Sequence, residues 1–426
     1  MIDALLPLTL ALVLFAALLF IVSDFDILSP AVIVALVMAF SSVLALASAS
    51  TWNLYMPFYG ATILFLGVLI FSLTSLAVKS KLNFIKSVNL PNFDVKPVPV
   101  ILLSIFTFIL AFFSFKETYE LAESLGNDQG VFGMIGAIRP HLESGDITIS
   151  RTMNYRNTFA TLFAYVSAFA FFYLLIIKNT FRKLLLIPMF LLSPFLILTT
   201  GRMNLLFYVI YLLIHACILY RLREGDSKAS RKRSLKWTLY AGGAFFALFL
   251  ILGTLTGKVA FDGTGRSPLL ILAHYGGASI PAFGALMELP VIDDGLIGSH
   301  ISLGLYRMLS RLGFDLPEVM TFLPFLHFDG MKTNVFTAFW RYIEDFGLWG
   351  MFLFTSLLSL FYTLFYELTK SGRLGAYGII LYSSLAYPLF MFFQDERLIM
   401  DFSGTPIVYH VILLFVFYKV ILKKSS

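Results

Sequence analysis

Eleven stretches of this chain are unbroken runs of about twenty mostly apolar residues: 4–22, 27–48, 57–78, 98–115, 158–177, 184–200, 203–220, 237–256, 346–367, 375–393 and 406–422. A helix needs about 20 such residues to cross ~30 Å of hydrocarbon. The runs are continuous rather than alternating, and in lipid only helices or closed barrels satisfy their own backbone. The expected fold is therefore all-α, a polytopic membrane helix bundle of about eleven transmembrane helices forming one transmembrane domain over 1–426. Composition points the same way: 59% of residues are hydrophobic and 13% charged, against about 25% charged in soluble domains. So little polar surface excludes a soluble enzyme, a disordered protein and an ordinary nucleic-acid binder, and no nucleic-acid partner is expected. A single cysteine, Cys217, rules out an internal disulfide and a thiolate zinc cluster. The N-terminus has no positive region and no small-residue cleavage signal, so its apolar run reads as the first span.

Lys and Arg in the connections set orientation. With the connections numbered alternately and the C-terminal tail inside, the inside set carries 19 basic and 6 acidic residues. The outside set carries 12 basic and 19 acidic. Inside lie Lys79, Lys81, Lys86 and Lys96, then Lys178, Arg182 and Lys183, the run 221–236, Lys370 and Arg373, and Lys419, Lys423 and Lys424. The turn holding Asp24 and Asp26 also falls inside, with no positive residue to anchor it. Segment 268–289 is long enough to cross, but a crossing there would move Lys370, Arg373 and the tail to the acidic side. It is expected to be re-entrant or interfacial, broken near Gly276–Gly277 or Pro281.

Two outside connections are long: 116–157, the first external loop, and 257–345, the large external (periplasmic) loop. Long loops in compact proteins carry function. The connection 221–236 is a basic cytoplasmic loop, a topology anchor that touches anionic headgroups of the membrane lipid. Among the 12 outer basic residues nine are Arg, whereas the inside set has six Arg and thirteen Lys. Orientation needs only charge; Arg adds a rigid fork for phosphate or carboxylate. Either these arginines pair with outer carboxylates, or some form a site for a phosphorylated ligand.

Three places stand out. Arg202 follows Thr199-Thr200-Gly201 with almost no loop between two spans, where a guanidinium is costly unless paired or snorkelling. Arg341 lies in the run 333–347, whose helical spacing puts Thr337, Arg341 and Glu344/Asp345 on one face, near Asn334 and Tyr342. Arg–carboxylate pairing there is structural or part of a glycan site, in which Asn334, Thr337, Tyr342 and Tyr275 are the candidate sugar contacts. Arg266 closes Gly263-Thr264-Gly265-Arg266, ahead of His274-Tyr275-Gly276-Gly277. His274 is a candidate general base or a structural histidine beside glycines. The six His show no metal-ligand spacing, and there is no Walker, GxGxxG or GxSxG motif. Asp24-Phe25-Asp26 is formally a D-x-D, but the charge count puts it inside. No metal and no cofactor is expected.

The stretch TNVFTAFWRYIEDFGLWG (333–350), the Gly-Arg turn of LTTGRMNLL (198–206) and HYGGASIPAF (274–283) resemble the bacterial oligosaccharide repeat-unit polymerases, the O-antigen/capsule (Wzy-type) polymerases. Members commonly read Thr-Asn-Val-Tyr-Thr, then Arg, aromatics and Asp-Phe-Gly; here Phe336 stands at the Tyr position. The resemblance covers about 200–350 and the span layout; the first 150 residues match only in hydropathy. It implies a GT-C-like, metal-independent membrane glycosyltransferase of the bacterial cytoplasmic (inner) membrane, with its active site facing the periplasm. Its substrate would be undecaprenyl-diphosphate-linked oligosaccharide, and a chain-length regulator protein would be its partner. A growing chain would pass from its lipid diphosphate to the non-reducing end of a new lipid-linked unit. Arginines aimed at the leaving diphosphate bind more strongly as its charge grows, which is the condition for catalysis. Arg202, Arg266 and Arg341 are expected on the diphosphate, with Glu344, His274 or Asp345 as base. A polysaccharide ligase would share the arginines and differ in its acceptor. A transporter of lipid-linked oligosaccharide would need ionisable residues at mid-span and internal repeats, and neither is evident.

Overall fold

A computed structural model of the chain describes residues 3–82, 88, 90–144, 146–198, 202–255, 268–289, 296–316, 323 and 325–424. In chain order its helices are α1 (Leu5–Val22), α2 (Pro30–Trp52), α3 (Phe58–Leu82), α4 (Pro97–Ser124), α5 (Gly130–Ser144) and α6 (Arg151–Ile176). Then come α7 (Leu186–Leu191), α8 (Ser193–Leu198), α9 (Arg202–Glu224), α10 (Lys228–Leu255), α11 (Pro268–Gly277) and α12 (Ser279–Leu286). The last are α13 (Leu303–Arg311), α14 (Ala338–Lys370), α15 (Gly375–Ser384), α16 (Tyr387–Phe390), α17 (Leu398–Phe402) and α18 (Thr405–Ile421). Strands are minimal: β1 (Phe93–Val95), β2 (Leu326–Phe328), β3 (Met331–Thr333) and β4 (Leu422–Lys424). The fold is all-α, as its continuous apolar runs require.

Seven helices are long and apolar enough to cross a membrane: α1, α2, α3, α4, α6, α9 and α14. This is a multi-pass membrane protein; among the described residues seven of the eleven expected spans are helices of full length, and the apolar helices Lys183–Leu198 and Thr405–Ile421 are shorter. The other expected spans take different forms. Run 184–200 is divided between α7 and α8, run 375–393 between α15 and α16, and run 406–422 is the 17-residue α18. Prolines Pro188, Pro194 and Pro388 lie in the divided runs, where a missing N–H interrupts helical hydrogen bonding. Run 237–256 falls in α10, which begins inside the basic stretch. The long connections are also more helical than expected. Segment 116–157 holds the end of α4, all of α5 and the start of α6; segment 257–345 holds α11–α13 and the β2–β3 hairpin. The basic stretch 221–236 is a helical hairpin rather than a loop. Asp226 sits at its turn, with Arg231 gripping both carboxylate oxygens at 2.9 Å and Arg221 3.9 Å away.

The chain forms two compact units. The first comprises 1–86, 266–371 and 385–409; the second comprises 87–265, 372–384 and 410–426. In the first unit α3 and α14 run in the same direction, since Ser359 donates to Phe71 (2.6 Å) and Thr363 to Ser75 (2.8 Å). Gly67 lets the Phe339 ring lie against α3, because a Cβ there would come within 2.6 Å of it. The α1–α2 turn reaches the C-terminal end of α14, where Tyr366 donates to both oxygens of Asp26 (3.0 and 2.8 Å). Asp24 and Asp26 therefore share one end of the unit with Lys79, Lys81 and Lys370, as the charge count requires. The D-x-D is accounted for structurally: Asp26 is buried and hydrogen-bonded.

Segment 268–289 dips and returns. Leu270 and Ala273 pack near Trp52 and Leu54 at the end of α2. Gly277 meets the backbone of Ala45, and Ser279 lies 3.5 Å from Ser41, deeper along α2. Gly284 then returns to Met56 and Gly60 at the start of α3. The helix breaks at Ala278, beside the glycine pair. Only glycine at 277 permits this approach, since a Cβ would stand 2.6 Å from a backbone nitrogen of α2.

The second unit has polar contacts at both of its ends. At one end the β1–β4 ladder pairs Asp94 with Lys423, Arg182 donates to Val95 and Arg223 donates to Ile176. At the other, Ala122, Met134, Ile138, Met153 and Leu198 form a small core, and Glu117 binds both Ser150 and Arg156.

Candidate functional site

The polar end of the first unit gathers three segments: the turn 296–302, the start of α14 and the connection 391–404. Why α14 starts where it does follows from two residues. Thr337 is the N-cap, and the Ala338 amide donates to Phe392 (3.0 Å), tying the helix start to the connection. Gly347 takes a left-handed conformation (φ 67°) and kinks the helix, so 338–346 is a separate short helix set on the long apolar one. That short helix carries Arg341, Glu344 and Asp345.

Arg341 is buried and fully committed. Its Nε and Nη2 grip the two oxygens of Asp395, the Nη2 bond measuring 2.9 Å, and its Nη1 donates to the His300 carbonyl at 2.8 Å. The expected partners Glu344 and Asp345 are not those observed. Residues four apart on a helix can meet, but the guanidinium extends away from its own helix to a carboxylate 54 positions later. Asp345 is spent on the opposite side. Its side chain is fully buried; Oδ1 accepts from the His300 amide (3.1 Å) and meets His300 Nδ1 (2.9 Å), while Oδ2 accepts from the Ile301 amide (2.9 Å). Both oxygens of Asp345 are thus engaged.

In the sequence the connection 394–401 enters only the charge count, through Asp395, Glu396, Arg397 and Asp401. Here it supplies most of the charge. Asp395 holds Arg341; Arg397 pairs with Asp401 at 3.0 Å; Tyr387 donates to Asp401 at 2.6 Å. Glu396 is almost wholly buried and accepts from the amides of Leu398, Ile399 and Met400. Burial pushes its carboxyl up to about 7, opposed by the Met400 and Ile399 amides and assisted by Asp395 and Asp401. Asp401 is likewise raised by burial, with Arg397 acting against it. The sequence signal was present: Gln394-Asp395-Glu396-Arg397 places three consecutive charges between two apolar runs.

The other expected residues divide. Tyr342 is fully buried and stacked on Phe354 (5.6 Å), with its hydroxyl beside Glu396, and Thr337 is buried at the helix start. Neither presents a surface for a sugar ring. Asn334, Glu344 and His274 are half-buried and Tyr275 is exposed; His274 packs edge-on to Trp52 (6.0 Å) and beside Tyr275 (5.3 Å). Arg202 is the first residue of α9 in the second unit. Arg266 and the 199–201 turn lie outside the described residues. Among the described outer arginines, Arg156, Arg341 and Arg397 are seen paired with carboxylates, which is the structural alternative raised for them.

No protein-family model matches the chain, and no solved structure matches it. Among curated proteins it is similar to one from Shigella dysenteriae named O-antigen polymerase, 22% identical over 209 residues. The aligned region spans about half of each, 49% of this chain and 49% of that relative. The relative's name is that of the polymerases the 198–206, 274–283 and 333–350 stretches resemble.

Proposed function

We propose that this protein polymerises lipid-linked oligosaccharide repeat units into O-antigen or another surface polysaccharide. The likeness to an O-antigen polymerase carries the reading, and the charged end of the first unit supports it chemically. On this reading the glycan leaves undecaprenyl diphosphate and joins a sugar hydroxyl of the next lipid-linked unit. The reaction runs at the outer face of the cytoplasmic membrane, and a chain-length regulator protein is a partner. The donor is already activated, so no nucleotide is needed, and the transfer proceeds without metal.

Arg202 and Arg266 are assigned to the leaving diphosphate. The two-point grip of Asp395 on Arg341 gives Arg341 a different part: it fixes the 296–302 turn and the 391–404 connection. Glu344, Asn334, His274 and Tyr275 remain accessible for sugar contacts. A fixed set of charges is an effective catalyst because it needs no reorganisation as the glycosidic bond breaks.

The test is genetic and direct. Source cells lacking the chain should carry single-unit polysaccharide, and the wild-type chain should restore a ladder of lengths on a gel. Normal ladders without the chain would overturn the reading. Chelator added to purified protein should leave elongation unchanged; strong inhibition would introduce a metal.

A further inference from the structure

His300 was singled out by no sequence motif, yet it is the most tightly held imidazole at the polar end of the first unit. Asp345 meets its Nδ1 at 2.9 Å, with Ser299 Oγ 3.3 Å from the same nitrogen. The His300 amide and the Ile301 amide rest on the same carboxylate, and Arg341 Nη1 holds the His300 carbonyl from the other side. The Trp340 ring stands edge-on at 5.5 Å. A different His–Asp contact, His141 with Asp146 at 3.5 Å, is solvent-exposed on both sides. In the buried pair the carboxylate can only accept. Nδ1 therefore carries the hydrogen of the neutral ring, and Nε2 keeps its lone pair.

We propose that His300 is the general base of the transfer, with Asp345 as its positioning residue. This rests on the polymerase reading above. Nε2 takes the proton of the acceptor hydroxyl while that oxygen bonds to the anomeric carbon of the donor sugar. The bond from that carbon to the diphosphate oxygen breaks, and its electron pair leaves on the diphosphate. The imidazolium is balanced by Asp345 until the proton passes to water. The arrangement explains why α14 spends a fully buried carboxylate on a turn. The two backbone amides could be satisfied by a neutral acceptor, whereas an imidazole that must charge and discharge needs an anion behind it. Among the described residues, the charged and titratable groups facing His300 are Asp345 and Arg341, both on α14, and Arg341 is itself neutralised by Asp395.

The test uses full-length protein purified in detergent and, as substrate, lipid-linked oligosaccharide extracted from source cells lacking the chain. His300→Asn keeps a donor where Nδ1–H stood and removes Nε2. It should cut the elongation rate by about 10²–10⁴-fold, the usual contribution of a general base, with donor KM within threefold of wild type and an unchanged thermal midpoint. Asp345→Asn should lower kcat by a smaller factor and shift the acid limb of the pH–rate profile. His300→Asn retaining activity within threefold overturns the assignment. So does a loss that tracks only the fraction of folded protein, or an Asp345→Asn profile whose acid limb stays where wild type has it. If the wild-type protein itself fails to elongate this substrate, the polymerase reading falls first, and the two failures are thereby told apart.

Discussion

Both ends of the first unit bury a carboxylate against α14, but they treat it differently. At the basic end Asp26 is held by the Tyr366 hydroxyl, a partner that is neutral at ordinary pH. At the polar end Asp395 and Asp345 are held by a guanidinium and an imidazole. A phenol–carboxylate bond fastens a turn with one buried charge. An arrangement of two acids, an arginine and a histidine costs far more desolvation, and well-packed apolar residues often stabilise a fold as well as a buried ion pair does. The same helix carries both arrangements: a hydroxyl on a carboxylate at the basic end, and an arginine and a histidine held by acids at the polar end.

The largest expected effect follows from breaking the polar end. Arg341→Ala leaves the half-buried Asp395 without its guanidinium, a loss that for a fully buried pair costs about 3–5 kcal/mol, so both polymer and protein in the membrane should fall. Replacing both partners, Arg341→Leu with Asp395→Leu, should recover much of the accumulated protein while long-chain polysaccharide stays absent. Recovery of the polymer together with the protein would reduce the polar end to a second fastening. Next in size, Arg202→Lys should abolish long chains at normal protein levels, because a point charge loses the fork that grips a diphosphate. A normal ladder from this variant would remove Arg202 from the site.

Much of the fold was legible because hydropathy is a local signal. Continuous apolar runs gave α1, α2, α3, α4, α6, α9 and α14, and the Gly276–Gly277 pair marked the break in the re-entrant segment. Helices hidden in the long connections, such as α5 and α13, were missed because their sequences are neither long nor uniformly apolar. Divided runs were read as whole because a hydropathy window passes over a proline. For the candidate site, the 333–350 stretch was found and its partners were not. Helical spacing can suggest that Arg341 meets Glu344 or Asp345, since those contacts are local. It carries no information on Asp395 or His300, which reach Arg341 and Asp345 through the tertiary path of the chain.

At the basic end the same comparison predicts a smaller, purely structural effect. Tyr366→Phe removes a hydrogen bond to a buried carboxylate, worth about 1.5–3 kcal/mol, and should lower the thermal midpoint with the ladder unchanged. A shortened ladder would mean that the two ends are not separable. The smallest effect is one of pH. Glu396, raised from 4.5 to about 7 by burial, binds a proton in the folded state over a window in which the unfolded chain has released it. Stability contributed by that proton is present below about 4.5 and declines as pH rises towards 7, because there the native state holds the greater number of protons. The thermal midpoint should therefore fall between pH 5 and pH 8 more steeply in wild type than in Glu396→Gln, which cannot ionise. Equal slopes would show that the amides of Leu398, Ile399 and Met400 already hold Glu396 as a carboxylate at pH 5, making it a cap of α17 and nothing more.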